Sequence, residues 1–397
     1  MSSLVIGQWD GATGSVTTTN DEGAGSASVN FAVGAFTGTG GLPTVIASEG
    51  DFFSFASALE AKTTETFDGG VRVQMSSDRF AGVGGGGRDI FDIANAGSAT
   101  ISGHGGDDRL TSRDGNDNLY GEGGDDVLNG GGGFDYCDGG AGNDKVAGGV
   151  GDDTLQGGAD VDTVVVAPSA APYTAVKIDL DFATLETNLT TFGATLSGFE
   201  NAEGSAIGDE IIGNALANVL AGADGGDTVS GGAGADSLYG GLGNDSITGE
   251  DQNDLMNGGG GSDAMAGGGG ADTLIGAAGK DLITGGANGD EMSGGAGKDR
   301  FVYNTIADTF AAQADRITDL EAQDRILLTN IDAKTDRAGN QAFDLVGAFT
   351  GNSGEAVLVY DAGADETQLR LDVDGDGTAD GVIVLDGDQT GFVNFAL

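Results

Sequence analysis

An aspartate returns every ninth residue through two long stretches of this chain, in a frame set by glycine. The frame reads GGAGNDKVA from Gly139, GGAGADSLY from Gly231 and GGAGKDRFV from Gly294, so the template is G-G-x-G-x-D-x-U-x with U a large apolar residue. A first array keeps the register unbroken from Gly103 to Val165, seven units with Asp108, Asp117, Asp126, Asp135, Asp144, Asp153 and Asp162 at the sixth position. A second array runs from Gly204 to Val302, eleven units with Asp209, Asn218, Asp227, Asp236, Asp245, Asp254, Asp263, Asp272, Asp281, Asp290 and Asp299. A looser unit, Gly84 to Asp92 with Asp89, precedes the first array across a ten-residue slip. Seventeen of the eighteen sixth positions are Asp, so the period is a structural repeat and not an accident of composition.

The eighth positions carry one apolar residue per unit, among them Leu119, Cys137 and Leu155 in the first array and Leu238, Ile247, Met256 and Phe301 in the second. One inward side chain flanked by small or polar neighbours suits a very short strand. The glycine-rich half must turn sharply, and glycine reaches positive φ without steric cost. Two units then make one coil of about eighteen residues, and coils stack as parallel strands around a thin core. The expected fold is therefore all-β: two right-handed parallel β-rolls with β-rich N-terminal and C-terminal caps. Stacking sets a sixth-position Asp beside the one two units later, as in Asp108 with Asp126, Asp236 with Asp254 and Asp281 with Asp299. Carboxylates and turn carbonyls are hard oxygen ligands, which suit Ca²⁺. One ion per interior pair gives about five ions in the first array and about nine in the second, about fourteen in all.

The bland alternative is a flexible Gly/Asp-rich linker. It does not account for the register, yet without calcium it nearly describes the chain. Aligned carboxylates repel, glycine loses much entropy on ordering, and the core is one residue deep. Metal binding is expected to be coupled to folding. The chain carries 63 acidic and 16 basic residues in 397, a net charge of −47. That excludes nucleic acid and anionic membranes as natural partners. The single Cys, Cys137, excludes disulfides within the chain and falls at an inward position. The start, MSSLVIG, shows neither a basic nor an apolar signal region, and no stretch is long enough for a membrane span.

Residues 1–83 are rich in Thr, Ser, Gly and Ala, with strand-like alternation at 26–33 and 71–75 and helix-compatible composition at 52–62. They show no metal cluster or nucleophile motif, and either hold the individual function or cap the first open coil edge. The first array spans 84–165 and the second 204–302. Residues 166–203 form a connecting insert entered by a loop with Pro168 and Pro172 and containing a strand at Ala175–Asp181. Residues 303–397 return to ordinary globular patterning and suggest a small β-rich domain over the end of the second array. Within it Asp372, Asp374 and Asp376 with Gly377 form the first half of an EF-hand-like loop, but Ile383 stands where the closing Glu belongs, which leaves an acidic β-turn as the alternative. Asp160, Ile207, Leu216, Gln252 and Asn288 replace the fourth-position Gly and are expected to strain their turns. Asn218 is expected to weaken its sites, and His104 at a second position reads as a solvent-facing turn residue.

The repeat resembles that of the RTX (repeats-in-toxin) proteins of Gram-negative bacteria over residues 84–165 and 204–397. FVYN from Phe301, DRITDL from Asp315 and LDVDGDGTAD from Leu371 are similar to the cap of serralysin-type secreted proteases. The resemblance implies calcium binding, type I secretion from an uncleaved C-terminal signal, and folding outside the cell or on its surface. The end, FVNFAL from Phe392, resembles the tail of type I secreted chains, with Asn394 at the usual acidic place. A zinc-protease H-E-x-x-H is impossible with one His, and there is no G-x-S-x-G. The expectation is a non-enzymatic structural or adhesive protein: a surface-layer, filament or matrix component that self-associates or binds cell-surface polysaccharide. A polysaccharide-active enzyme or glycan-binding protein is the alternative. A pore-forming toxin needs membrane-inserting helices, which the sequence lacks.

Overall fold

A computed structural model of the chain describes residues 5–6, 16–20, 27–31, 44–46, 52–54, 60–67, 70–76, 79–83, 87–93, 98–166, 176–180, 184–187, 193–309, 313–334 and 342–396. The chain divides into two compact units, Met1–Glu203 and Gly204–Leu397. Both are β-structures. Among the described residues helical conformation is confined to a 3-10 turn at Ile306–Thr309 and to Gln313. No helix among them is long and apolar enough to cross a membrane.

In the first unit the repeats form two stacks of parallel strands. Ser98–Ser102, Asn118–Gly123, Tyr136–Ala141 and Thr154–Ala159 pair in one. Ile90–Ile93, Arg109–Thr111, Val127–Gly132, Lys145–Val150 and Thr163–Val165 pair in the other. The register joins residues one coil apart, so Leu119, Cys137 and Leu155 stand in line, all buried. The segment after the first array adds a coil: Gly193–Ser197 pairs with Thr154–Ala159, and Asn201–Glu203 with Thr163–Val165. Leu196, Phe199 and Ala202 carry the core into it. The strand expected near 175–181 is Val176–Asp179, which forms an antiparallel pair with Thr184–Thr187. The loop expected at Pro168 and Pro172 lies outside the described residues.

At the other end of this unit, Arg79–Val83 and Gly70–Ser76 lie parallel to the first strands of the two stacks. Antiparallel partners Phe52–Ser54 and Glu60–Phe67 extend them outward. The strands expected at 26–33 and 71–75 appear as Ala27–Phe31 and Gly70–Ser76. Of the helix-compatible stretch 52–62, residues 55–59 lie outside the described residues and the rest is not helical. Its described residues enter the strands Phe52–Ser54 and Glu60–Phe67, because open sheet edges beside them offer backbone partners that outweigh local propensity.

The second unit repeats the plan. Ile211, Val229, Ile247, Met265, Ile283 and Phe301 form one inward row, which runs on through Ile326 to Phe395. Leu220, Leu238, Met256, Leu274 and Met292 form the facing row, continued by Ile317 and Leu385. The C-terminal segment thus supplies the last coil, and the antiparallel strands Glu355–Asp361, Glu366–Asp372 and Gly381–Asp386 cover it.

The turns explain the glycines. At the fourth position Gly243 has φ 140°, and a Cβ there would lie 1.2 Å from the carbonyl oxygen of Gly225 in the preceding coil. Asp160, Gln252 and Asn288 accept the same left-handed backbone, at φ 84°, 76° and 83°. Ile207 and Leu216 do not, contrary to the expectation of strain. Asn214 Oδ1 instead accepts the Leu216 N–H at 2.8 Å, and the Ser205 hydroxyl bonds across the Ile207 turn, so these two turns are rebuilt. Replacing Gly243 by Ala should destabilise the folded chain by about 3 kcal/mol, while Gly347→Ala should stay within about 0.5 kcal/mol. The Gly347 control has nothing within 4 Å of a new Cβ. Denaturant titration of the folded chain reads both, and equal midpoints for the two variants would contradict the stacked-turn geometry.

Candidate metal centre

Every sixth-position Asp in the arrays is buried, an unusual place for a charged group. Backbone geometry puts it there. Positions six, eight and one of each unit face inward, so the carboxylate sits between one coil and the next. One of its oxygens is used at once. The Asp108 N–H donates to Asp126 Oδ1 at 2.7 Å and the Asp126 N–H to Asp144 Oδ1 at 2.8 Å, each across eighteen residues. The same bond joins Asp117 to Asp135, Asp135 to Asp153 and Asp144 to Asp162, all at 2.8 Å. In the second unit it joins Asp209 to Asp227, Asp227 to Asp245, Asp236 to Asp254, Asp245 to Asp263, Asp254 to Asp272, Asp263 to Asp281, Asp272 to Asp290 and Asp281 to Asp299, at 2.7 to 3.0 Å. The sequence-predicted residues are thus brought together in the pairs expected of them.

The second oxygen is left over. Oδ2 is buried without a hydrogen-bond partner in Asp108, Asp117, Asp126, Asp135, Asp144, Asp162, Asp227, Asp236, Asp245, Asp254, Asp263, Asp272, Asp281, Asp290 and Asp299. A buried unpaired oxygen costs free energy, and fifteen in register call for one common partner. Its chemistry follows from the first-position glycine. A Cβ on Gly121 would lie 2.3 Å from Asp126 Oδ2 and 2.4 Å from the Gly139 carbonyl oxygen of the next coil. On Gly267 it would meet Asp272 Oδ2 at 2.3 Å and Gly285 O at 2.4 Å. Carboxylate and carbonyl oxygens from neighbouring coils therefore converge where no side chain can enter. An all-oxygen, partly anionic lining fits a hard divalent cation, and calcium above all.

The electrostatics agree. Burial pushes Asp108 up to about 8 and Asp135, Asp144, Asp227, Asp254 and Asp290 up to about 7, against the lowering effect of the incoming N–H. Asp126, Asp153, Asp162, Asp263 and Asp299 rise to about 6 from the same cause. Asp117, Asp236, Asp245, Asp272 and Asp281 also rise through burial.

Three array positions differ. Asp153 is buried but is not among the carboxylates with an unpaired Oδ2. Asp209 Oδ2 accepts the Ser205 N–H at 2.6 Å and its hydroxyl at 2.8 Å. The Asn218 amide exchanges hydrogen bonds with Asn214 at 2.8 and 3.3 Å, closing its unit without help from an ion.

Four carboxylates outside the arrays extend the ladder. Glu200 Oε2 accepts the Asp162 N–H at 2.9 Å and ends the run in the first unit. In the second, Asp315 Oδ1 accepts from Asp290 and Asp324 Oδ1 from Asp299, both at 3.0 Å, although the separation has grown to 25 residues. Asp319 Oδ1 accepts the Gly294 N–H at 2.9 Å. The sequence signal for Asp315 and Asp324 is D-x-I at the usual spacing without the glycines, as Asp315-x-Ile317 and Asp324-x-Ile326. The glycine frame ends because Tyr303, fully buried, takes a first position.

A second ladder lies on the exposed edge. Asp107 Oδ1 accepts the Asp125 N–H at 3.1 Å, and Asp125 Oδ1 accepts the Asn143 N–H at 2.8 Å, the reverse sense to the buried bonds. His104 is exposed, as expected, and its Nδ1 lies 2.7 Å from Glu122 Oε2. In the EF-hand-like loop, ligand atoms of Asp372, Asp374 and Asp376 lie within 4.8 Å of one another. Both Asp372 oxygens nevertheless accept backbone N–H groups, of Gly375 at 2.7 Å and Gly377 at 2.9 Å, as in an acidic β-turn.

A parallel β-solenoid whose turns present stacked, unpaired carboxylate oxygens defines a class of metal-dependent repeat proteins. The family model "Peptidase M10 serralysin C terminal" matches residues 4–396, and the chain belongs to that family. It is 39% identical over 88 residues to the metalloprotease AprA of Pseudomonas entomophila (strain L48), covering 22% of this chain and 18% of that protein. The chain thus spans about a fifth of the length of that relative. Among solved structures it is similar to the R3 subunit of the mannuronan C5-epimerase AlgE6 of Azotobacter vinelandii, at 30% identity and TM-score 0.30 over 37% of this chain and 79% of that one. The R2 subunit of the same enzyme gives 26% identity and TM-score 0.30 over 38% and 90%. The family implies calcium binding and secretion of the type I kind.

The raised carboxylates set a pH dependence. In the metal-free fold the protonated form is favoured, so that fold is most stable below the ordinary carboxylate range, near pH 4. It loses stability as the pH climbs through 6 to 8, where the buried groups must ionise. Calcium takes the ionised form, which the unfolded chain already carries above about pH 5. The calcium midpoint for folding should therefore change little between pH 8 and 6, whereas the metal-free chain should gain β-structure as the pH falls from 8 to 4, both read by far-UV dichroism. A metal-free chain that gains no β-structure towards pH 4 would contradict the burial of these carboxylates.

Proposed function

We propose that this chain is a secreted calcium-binding protein with a structural or adhesive role outside the cell. It folds when it meets calcium and builds or joins a surface layer, filament or matrix. The observation that carries the reading is the row of buried, unpaired Oδ2 atoms facing carbonyls of the next coil. Asp108, Asp117, Asp126, Asp135, Asp144, Asp153, Asp162, Asp227, Asp236, Asp245, Asp254, Asp263, Asp272, Asp281, Asp290 and Asp299 hold the ions, with Asp209 a weaker contributor because Ser205 occupies its oxygen. About fourteen ions would offset more than half of the −47 charge. In a calcium-poor cytoplasm the same carboxylates keep the chain unfolded and exportable, and calcium outside completes the fold.

A non-enzymatic role fits the sequence, in which one His excludes H-E-x-x-H and the rolls and C-terminal cap together take up more than two thirds of the chain. The AprA match favours a second reading, in which the solenoid serves as the calcium-dependent module of a secreted enzyme.

Size-exclusion with light scattering and far-UV dichroism, with and without calcium, tests the proposal. An expanded, disordered chain in chelator should become a compact β-protein at millimolar calcium, with about fourteen ions counted by native mass spectrometry. Asp254→Ala should lose ions and raise the calcium midpoint severalfold, because it removes one carboxylate from two adjoining pairs. A chain that stays compact and fully β in chelator would sink the reading.

A further inference from the structure

In a chain so acidic, the uncharged part of the surface is informative. From Gly204 to Gly279 there is no Lys, Arg or His, against eleven acidic residues. Seven of those eleven are the buried sixth-position carboxylates. Asp224, Glu250 and Asp251 lie at the turn ends of their strands, and Glu210 faces out from the other strand stack. The stack formed by Val219–Asp224, Ser237–Leu242, Leu255–Gly261 and Thr273–Gly279 therefore has no charge at its seventh and ninth positions, and its one exposed charge is Asp224 at the turn end, in register with Leu242.

That face is also apolar. Its outward positions are the seventh and ninth of each unit. Val219, in register with Ser237 and Leu255, is 47% exposed, and Leu255 is 38% exposed. Tyr239, two residues along, is 38% exposed and leads in register through Asn257 to Ile275. At the turn end of the same stack Leu242 is 62% exposed. The remaining outward positions are Ala, Ser, Asn and Thr. The patch stops where charge resumes, at Glu291 and Arg316 on the next two strands of the stack. A band of Val, Tyr, Leu and Ile bounded by charge is the composition of an interface core.

We infer that this face is where a second copy of the chain docks, by twofold stacking of one strand stack on another. The occupant follows from charge. A basic partner would be drawn to the acidic turns and not to this face. A second copy, itself strongly acidic, can approach closely only where few carboxylates oppose one another, and on this stack Asp224, at the turn end, is the single exposed one. A twofold axis can set this face against its own copy, and packing of two such faces at the usual sheet spacing buries Val219, Tyr239 and Leu255 in both copies. The contact deepens the proposed assembly role and rests on it, since the face exists only once the coils have stacked. A discrete pair formed this way leaves the acidic edges of both copies open for further contacts.

Sedimentation equilibrium of the calcium-loaded full chain tests this, with the circular dichroism spectrum and ion count recorded on the same samples. The wild type should sediment as a concentration-dependent dimer. Tyr239→Asp with Leu255→Asp should weaken association at least 100-fold while leaving spectrum and ion count unchanged, because both side chains are exposed and hold no ion. Thr248→Asp, on the opposite strand stack, should associate as the wild type does. A folded, calcium-loaded wild type that remains monomeric overturns the inference, and so does a double variant with wild-type association or a loss confined to Thr248→Asp. Failure to fold with calcium would instead count against the proposed function itself, and the spectrum separates the two failures.

Discussion

The hydrogen bond from one buried aspartate N–H to the carboxylate of the next coil governs this molecule. It spans eighteen residues and recurs every nine, fixes the register of both strand stacks, and holds each carboxylate in the interior. Holding it there leaves the other oxygen unpaired, so the bond that orders the coil also creates a demand for a cation. In the proposed reading stability and metal binding are one event, because the core beneath is a single row of side chains such as Leu238 and Met256 on each side.

The same bond explains how the ends are made. Glu200 in the first unit, and Asp315 and Asp324 in the second, supply the acceptor where the repeat has stopped. The glycine frame stops at the end of the second array, although Asp315–Ile317 and Arg325–Leu327 still stack on it. Tyr303 then fills an inward position that a glycine holds elsewhere, and ordinary antiparallel strands close the end. At the N-terminal end Arg79–Val83 and Gly70–Ser76 give the first coil its partners, so the sheet edge there is extended by hairpins.

Most of the repeat architecture was legible because its residues do one job each. The inward row at the eighth position and the paired aspartates at the sixth were plain from the period alone, as were the turns at glycine. What the period did not show was which of the two carboxylate oxygens is used, or that Ser205 and Asn214 would satisfy Asp209 and Asn218 from within their own turns. Both depend on side-chain hydrogen bonds that carry no periodic signal. The stretch 52–62 misled because its composition suits a helix, while a neighbouring sheet edge decides its conformation. The coil made by Gly193–Ser197 and Asn201–Glu203 was hidden because it has the inward apolar residues without the glycine frame.

The most direct measurement is the position of the ions in crystals of the calcium-loaded protein, located by anomalous scattering. The account predicts density beside Oδ2 at the interior pairs, such as Asp236 with Asp254 and Asp263 with Asp281, and weaker occupancy around Asn218 and Asp209. Ions found only along the exposed ladder of Asp107, Asp125 and Asn143, with the buried oxygens left unpaired, would contradict it.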